Sequence, residues 1–488
     1  MSYPSLMFLS EPSGARMRAD AFEDLKLTLL VSPPVIESMR DMCAQEDILA
    51  RQELFRALED DEVRAEATEL SEQMSELYRF YDAYIDSNNE DERRVIFVGL
   101  MKAAVGFTEL AAKFKASGVF YERFHEFFEE EIARPEYKVL AQEIDEVFPH
   151  VGELQHAGFI VNGDDLRITS ALGEPYEKRL VECAKNLGMT EISAARSFSR
   201  PLTGTIIDAI AALYPDSFEY LDAFYEKYID FFNEDIMRYY RELSFYIELS
   251  HVFARIRKNG IPVCYPTVCE EKKIDVREAY DVTLLAKDET NIIPNDIQFN
   301  TDEPFFYLTG ANGGGKTTYL RAVGAVTVFF LTGCPIAARK AEFYPLKKVL
   351  THFPRDERFD SGGRFQNENA LVNEILDEED GQSLVLLNET YSATSEELAV
   401  PLTVALAERL YSSGSFGIYI THQHGVGDTQ IPFLNVVVDA DDSNRRTYKI
   451  AKRQGAQGSL ALDILKKYGL DRGALTARFA SDPEEEAK

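Results

Sequence analysis

Cysteine is scarce in this chain. Five stand in 488 residues: Cys43, Cys183, Cys264, Cys269 and Cys334. So small and odd a set does not make a disulfide scaffold and suits a reducing compartment, the cytoplasm. Cys264 and Cys269 have four residues between them but no second pair and no nearby histidine, so zinc is not expected there. Long apolar runs are missing too. The most apolar window, Ala322–Leu331, falls far short of the ~20 residues of a bilayer span, so no membrane partner is expected. The opening MSYPSLMFLSEPSGARMRAD has no apolar stretch behind a basic end, which argues against a secretory signal. Positive charge is the third shortage: 83 acids face 52 bases, a net charge of −31. Residues 1–300 hold 57 acids and 32 bases, and residues 301–488 hold 26 and 20. The acidic first part is a poor generic match for phosphate backbones, whose binding needs Lys and Arg to displace counterions, although a local basic patch would serve. What the chain has in quantity is apolar surface. At 45% hydrophobic and 11% aromatic it can fill the cores of about three domains.

Residues 1 to about 255 read as mostly helical, with apolar residues recurring at spacings of three and four. Val63, Ala67, Leu70, Met74, Leu77 and Tyr78 mark one face. Phe107, Leu110, Phe114, Phe120, Phe124 and Phe127 mark another. These stripes read as helix core. Phe159–Ile168 reads as two short strands about Asn162-Gly163, either a small inserted sheet or a surface hairpin. Pro215 to Lys258 reads as one long helix, started by Pro215 and stopped by Gly260 and Pro262. Such a rod is roughly 60–65 Å long and can carry motion between two ends of a molecule. From about residue 281 the period changes. Val282–Leu285, Phe305–Leu308, Leu384–Leu387, Gly417–Ile420 and Asn435–Val438 are short apolar runs between longer stretches. That is the pattern of an α/β domain with a buried sheet.

The run Phe305–Thr309 leads into Gly310-Ala311-Asn312-Gly313-Gly314-Gly315-Lys316-Thr317, a G-x-x-x-x-G-K-T loop between a strand and a helix. Glycines let backbone N–H groups turn inward around phosphate oxygens, and the helix N-terminus adds partial positive charge. Lys316 can reach β- and γ-phosphates, and the Thr317 hydroxyl can ligate Mg²⁺. A second apolar run ends in Asn388-Glu389. Glu389 can orient or polarise an attacking water. Asn388 stands where an acid usually helps fix the metal shell, keeping a carbonyl oxygen without the charge. A third run ends in Thr421-His422, where the imidazole can sense a γ-phosphate. His424 has a weaker claim.

Several stretches resemble the MutS family of DNA mismatch-repair ATPases, within the ABC-type class. They are Ile293–Asp296, TGANGGGKTTYLR (Thr309–Arg321), Gly333–Ala338, Phe359–Glu368, NETYSATS (Asn388–Ser395), THQH (Thr421–His424) and Ser459–Leu470. The resemblance implies that Gly310, Ala311, Asn312, Gly313, Gly314, Gly315, Lys316, Thr317 and Thr318 cradle ATP. Thr317, Asn388 and Glu389 would shape the Mg²⁺ site, and Lys316, Glu389 and His422 would carry the chemistry. Ser361, Gly362 and Gly363 would complete the partner's site across a homodimer interface. It further implies DNA, and repair proteins, as partners. Ile292 stands where many members stack an aromatic on adenine. The triplets Phe107-Thr108-Glu109, Phe120-Tyr121-Glu122 and Phe124-His125-Glu126 echo the family's Phe-x-Glu mismatch wedge, but all fall on helical periodicity and read as core and surface. The chain thus resembles a shortened member without a mismatch-reading domain.

The expected fold class is α+α/β: a long-helix core and lever followed by a P-loop, ABC-type α/β ATPase domain. The expected divisions are an N-terminal helical region (1–135), a helical core and lever with a small β insertion (136–289), the ATPase domain (290–475) and an acidic tail (476–488). The expected function is ATP hydrolysis at a dimer interface, driving a clamp-like change in DNA repair or recombination. Because Asn388 is neutral, a slowly or non-hydrolysing nucleotide-gated interaction protein is the alternative. A helical scaffold for a protein or RNA partner is a third reading.

Overall fold

The computed structural model describes residues 3–11, 14–154, 157–162, 165–169, 204–287, 289, 291–354, 361–391, 395–423, 425–426, 429–438 and 446–452. The stretch 459–470, the tail 476–488 and His424, all named above, lie outside them. The first part holds α1 (Ala19–Asp24), α2 (Pro33–Arg40), α3 (Gln45–Ala57), α4 (Asp61–Asp86), α5 (Glu90–Lys113), α6 (Val119–Ala133) and α7 (Pro135–Leu154). Polar side chains set two of the starts. Asp60 accepts the N–H groups of Glu62 and Val63 ahead of α4, and Asn89 accepts that of Glu92 ahead of α5. The apolar stripes turn inward as the spacing requires: Leu70, Met74, Leu77, Phe107, Phe120 and Phe124 are buried. Tyr78 departs from this pattern. It lies at the rim and stacks on Tyr240 at 4.3 Å. In the three Phe-x-Glu triplets each Phe is buried and each Glu exposed, which is a helix packing pattern.

One expectation needs correcting here. Helix α5 is long and apolar enough to cross a membrane, although no single run in it is continuous enough to stand out. Two thirds of its apolar window (67%) is buried inside the protein, the condition of a helix packed by neighbours on several sides.

A hairpin follows, β1 (Gly158–Asn162) antiparallel to β2 (Asp165–Thr169), with Asn162 opposite Asp165. Next come α8 (Gly204–Leu213), α9 (Pro215–Tyr228) and α10 (Arg238–Lys258). The single rod expected from Pro215 to Lys258 is therefore broken. Phe232 and Asn233 adopt extended backbone. The Asn233 side chain accepts the Asp235 N–H at 2.9 Å and so opens a new turn. Apolar periodicity runs straight through the break, so it could not be seen from spacing alone. The 21 residues of α10 span about 31 Å, half the expected length.

The remaining elements are β3 (Thr267–Val268), β4 (Ile274–Ala279), β5 (Asn295–Phe299), β6 (Phe305–Thr309), α11 (Lys316–Leu331), β7 (Lys340–Phe343), β8 (Lys348–His352), α12 (Ser361–Glu378), β9 (Ser383–Asn388), α13 (Glu396–Ser413), β10 (Phe416–Ile420), β11 (Phe433–Val438) and β12 (Arg446–Lys452). Val282–Lys287 is a 3-10 helix and not the expected strand. Asp281 accepts both the N–H and the hydroxyl of Thr283, at 3.1 and 2.6 Å, and this turn winds the chain.

Two sheets result. A four-stranded one has the order β3-β7-β4-β5. A six-stranded one has the order β12-β11-β6-β10-β9-β8, parallel except for β12 at its edge. Strand alternation gives the larger sheet two apolar faces. Phe306, Leu308, Leu384, Leu386, Ile418 and Ile420 join the main core with α11 and the helical region. Phe305, Tyr307, Val385, Leu387 and Tyr419 join a second core under α12 and α13.

The helical region packs on α11 itself. Phe253 of α10 meets Phe329 edge-on at 5.3 Å, and Arg321 Nε donates to Asp24 O at 3.1 Å. Arg18 pairs with Glu374 and Glu378 of α12, at 2.7 and 3.1 Å.

Candidate nucleotide-binding site

Parallel strands β6, β9 and β10 present their C-terminal ends side by side, with Ile420 opposite both Leu308 and Asn388. In open α/β sheets ligands collect at such ends. The loop 310–315 leaves β6 here and turns into α11 at Lys316. Gly315 sits at the N-cap with φ +91° and Gly310 with φ +131°, conformations that a Cβ disfavours. A Cβ on Gly310 would also fall 2.8 Å from Val436 Cγ2, so the loop lies directly against β11.

Lys316 is 6% exposed. Its ammonium donates to Gly310 O at 2.8 Å, Ala311 O at 3.2 Å and Asn312 Oδ1 at 3.5 Å. Burial pushes its pKa below the ordinary lysine value, and the nearby Glu389 carboxylate partly opposes this. The cation is therefore held by its own loop, in reach of an anion placed in that loop. Thr317 and Thr318, both half-buried, follow in the first turn of α11.

Asn388 and Glu389 end β9. The Glu389 N–H donates to Ile420 O at 2.9 Å and its backbone takes φ +54°, as does Tyr391 with φ +64°. Two non-glycine residues in the left-handed region mark a strained turn. That turn holds the Glu389 carboxylate 3.1 Å from His422 Nε2 at the end of β10. Asn388 is 7% exposed, and its Oδ1 is buried without a hydrogen-bond donor. Such an orphaned oxygen beside a phosphate loop fits a cation partner. No cluster of three or more His, Cys, Asp or Glu suited to a metal occurs among the described residues. The donor set therefore suits Mg²⁺ that arrives with phosphate oxygens, taking Thr317 Oγ1 and Asn388 Oδ1, and not a self-sufficient metal cage.

Lys316, Glu389, Asn388 and His422 are thus gathered at one end of the sheet. Ser361, Gly362 and Gly363 form the first turn of α12. Their side chains lie outside the described residues. Ile292 is buried.

Four contributors were not foreseen. Arg446 of β12 donates to Asn312 O, and its positive charge also presses the Lys316 pKa down. Tyr448, also on β12, lies against Gly315 with φ +55°. Asn435 Oδ1 accepts the Thr309 hydroxyl at 2.5 Å. His352 Nδ1 lies 2.9 Å from Thr390 Oγ1, and the Thr390 carbonyl accepts from Tyr419 at 2.8 Å, which anchors the turn after Glu389. The Asn435–Val438 run was readable as a strand. The polar, exposed β12 gave no apolar signal.

Comparison with known proteins finds matches over the stretch that contains these residues. The family model for MutS domain V matches residues 306–472. The DNA mismatch repair protein MutS of Natronomonas pharaonis is 30% identical over 178 residues, 36% of this chain and 20% of that protein. Endonuclease MutS2 of Geobacillus kaustophilus is 29% identical over 191 residues, 38% of this chain and 24% of that one. The mitochondrial DNA mismatch repair protein MSH1 of Arabidopsis thaliana is 26% identical over 180 residues, 36% of this chain and 16% of that one. The chain therefore matches between about a sixth and a quarter of the length of these relatives.

Proposed function

Because this chain belongs to the MutS family through its domain V, we propose that it binds ATP with Mg²⁺ in the 310–318 loop and hydrolyses it. The observation that carries the reading is the buried Lys316 ammonium, whose hydrogen bonds among the described residues all go to its own loop, and which shares one end of the sheet with the Glu389–His422 pair. On binding, Lys316 exchanges the Gly310 and Ala311 carbonyls for β- and γ-phosphate oxygens, while the N–H groups opening α11 face the same charge. Thr317 and Asn388 would hold Mg²⁺, which would supply neutralisation of phosphate charge. Glu389 orients the attacking water, and His422 steadies the carboxylate and meets the terminal phosphate.

The working form is a homodimer in which Ser361, Gly362 and Gly363 of one copy close the nucleotide site of the other. Closure is transmitted through α10 and α11, which pack together at Phe253 and Phe329. The printed names of the relatives, DNA mismatch repair proteins and an endonuclease, support DNA as the macromolecular ligand; repair proteins as partners and the cytoplasm as the setting complete the reading. The acidic surface of residues 1–300 makes a local and not a general DNA contact the fitting one.

A second reading rests on Asn388. Its neutral amide stands beside Glu389, and a neutral group holds Mg²⁺ less tightly than a carboxylate. The chain then acts as a nucleotide-gated switch with little turnover. ATP turnover of wild type, Asn388→Asp and Glu389→Gln separates the two. The ATPase reading expects clear wild-type turnover abolished in Glu389→Gln. The switch reading expects wild type as slow as Glu389→Gln, with Asn388→Asp reviving it.

A further inference from the structure

A cleft of about 520 Å³ opens at the N-terminal end of α10 and shares no residue with the nucleotide site. Tyr3, Ser5, Phe8, Arg123, Arg238 and Arg241 supply its character. The arginines are out of keeping with their surroundings. Residues 201–250 hold ten acids and only three bases, Lys227, Arg238 and Arg241, and two of those three line this cleft. Arg238 and Arg241 are three residues apart on one helix, a spacing that puts them on one face. Arg123 reaches the same space from α6.

The acids of the cleft are largely committed elsewhere. Glu242 accepts the Ser5 hydroxyl at 2.7 Å and the Leu6 N–H at 2.8 Å. Asp41 is held by Arg16 at 2.9 Å. Glu11 remains at the rim. The arginines are less fully engaged. Arg238 forms an ion pair with Glu242, Nε to Oε1 at 3.8 Å and so longer than a hydrogen bond; its side chain is 32% exposed, while its Nε and Nη2 atoms are buried without an acceptor. Arg123 donates one bond, to Leu9 O at 3.3 Å. Arg241 is exposed and makes no ion pair among the described residues. Buried guanidinium N–H groups without acceptors are uncommon in folded proteins because their desolvation is uncompensated. Three forked donors around one space match the oxygens of a phosphate group. The volume is within the range of small-ligand pockets, roughly 300–1,000 Å³.

We propose that this cleft binds a terminal phosphate monoester, seated on Arg123, Arg238 and Arg241, in a site separate from the ATP loop. The claim stands independently of the ATPase reading. The phosphate would come either from a free mononucleotide or from the 5′ end of a nucleic-acid strand. Either occupant touches α10, whose far end packs on α11.

The test uses the full chain with Lys316→Ala, which removes the loop's lysine, and the same chain carrying Arg241→Gln or Arg123→Gln/Arg241→Gln as well. The arginine changes fall on exposed positions, and circular dichroism checks the fold of every variant. The probes are dAMP and a single-stranded DNA hexamer with a 5′-phosphate or a 5′-hydroxyl, titrated at fixed low salt. The proposal expects Lys316→Ala to bind dAMP or the 5′-phosphorylated hexamer at one site. It expects each added Arg→Gln change to weaken that binding about tenfold, the size of one charge-assisted bond. Binding of dAMP identifies a free ligand, and binding of only the 5′-phosphorylated hexamer identifies a strand end. No binding of either, equal binding of the 5′-hydroxyl hexamer, or indifference to Arg241→Gln would overturn it, and ordered water would then account for the Arg238 N–H groups.

Discussion

His422 Nε2 lies 3.1 Å from Glu389 Oε1, with both side chains more than a third exposed at adjacent strand ends. The Glu389 backbone is held in a left-handed turn by its own N–H bond to Ile420 O. The carboxylate is thereby aimed from a fixed support, and its neighbour is a group that can donate or accept a proton.

Glu389→Gln should keep ATP binding and lower turnover by at least about 100-fold, the lower end of what a positioned general base contributes. His422→Ala should give a smaller fall. Single-turnover hydrolysis beside equilibrium ATP binding checks both. Loss of binding in Glu389→Gln would mean that the residue serves structure.

Lys316 titrates below the ordinary lysine value because it is buried. A bound polyphosphate stabilises the ammonium and raises that pKa. Affinity is then full below the free-state pKa, falls as pH rises through it, and levels off above the bound-state value. In that window binding takes up a proton. Calorimetry in two buffers of different ionisation enthalpy at alkaline pH should show the uptake, and Lys316→Ala should abolish it.

Gly310→Ala should abolish nucleotide binding while leaving the domain folded. The added Cβ would be strained at φ +131° and would fall 2.8 Å from Val436 Cγ2, so the loop must leave its place against β11. The cost of one such strained residue is about 1–3 kcal/mol. ATP titration with a thermal melt reads the two effects separately.

Arg51 is 0% exposed and ties the N-terminal segment to the end of α11. Its Nε donates to Met7 O at 2.9 Å and its Nη1 to Thr332 O at 3.1 Å. Arg51→Leu leaves the Met7 carbonyl without its donor and the Thr332 carbonyl with only the weak Cys334 thiol at 4.0 Å, and should cost about 2–4 kcal/mol of stability. Urea unfolding measures this directly, and a change under about 0.5 kcal/mol, the range of surface substitutions, would contradict it.

The parts of the fold that were legible in the sequence are those whose residues repeat. Leu384–Leu387 and Phe305–Leu308 announce buried strands because both faces of the sheet are covered, and the loop between Gly310 and Thr317 announces itself by residue type. Polar side chains that redirect a backbone locally were not legible. Asn233 breaks the expected rod and Asp281 winds Val282–Lys287 into a 3-10 helix, each within an unbroken apolar pattern. Arg446 and Tyr448 were missed for the opposite reason. They lie on an exposed edge strand, and only the antiparallel pairing of β12 with β11 carries them to the loop.

The most direct measurement is equilibrium binding of ATP with Mg²⁺ to the wild-type chain and to Lys316→Ala. Removing the charge-assisted bonds of one ammonium should weaken binding by about ten- to a hundredfold with an unchanged melting temperature. Equal affinity in the two proteins would contradict the account at its root.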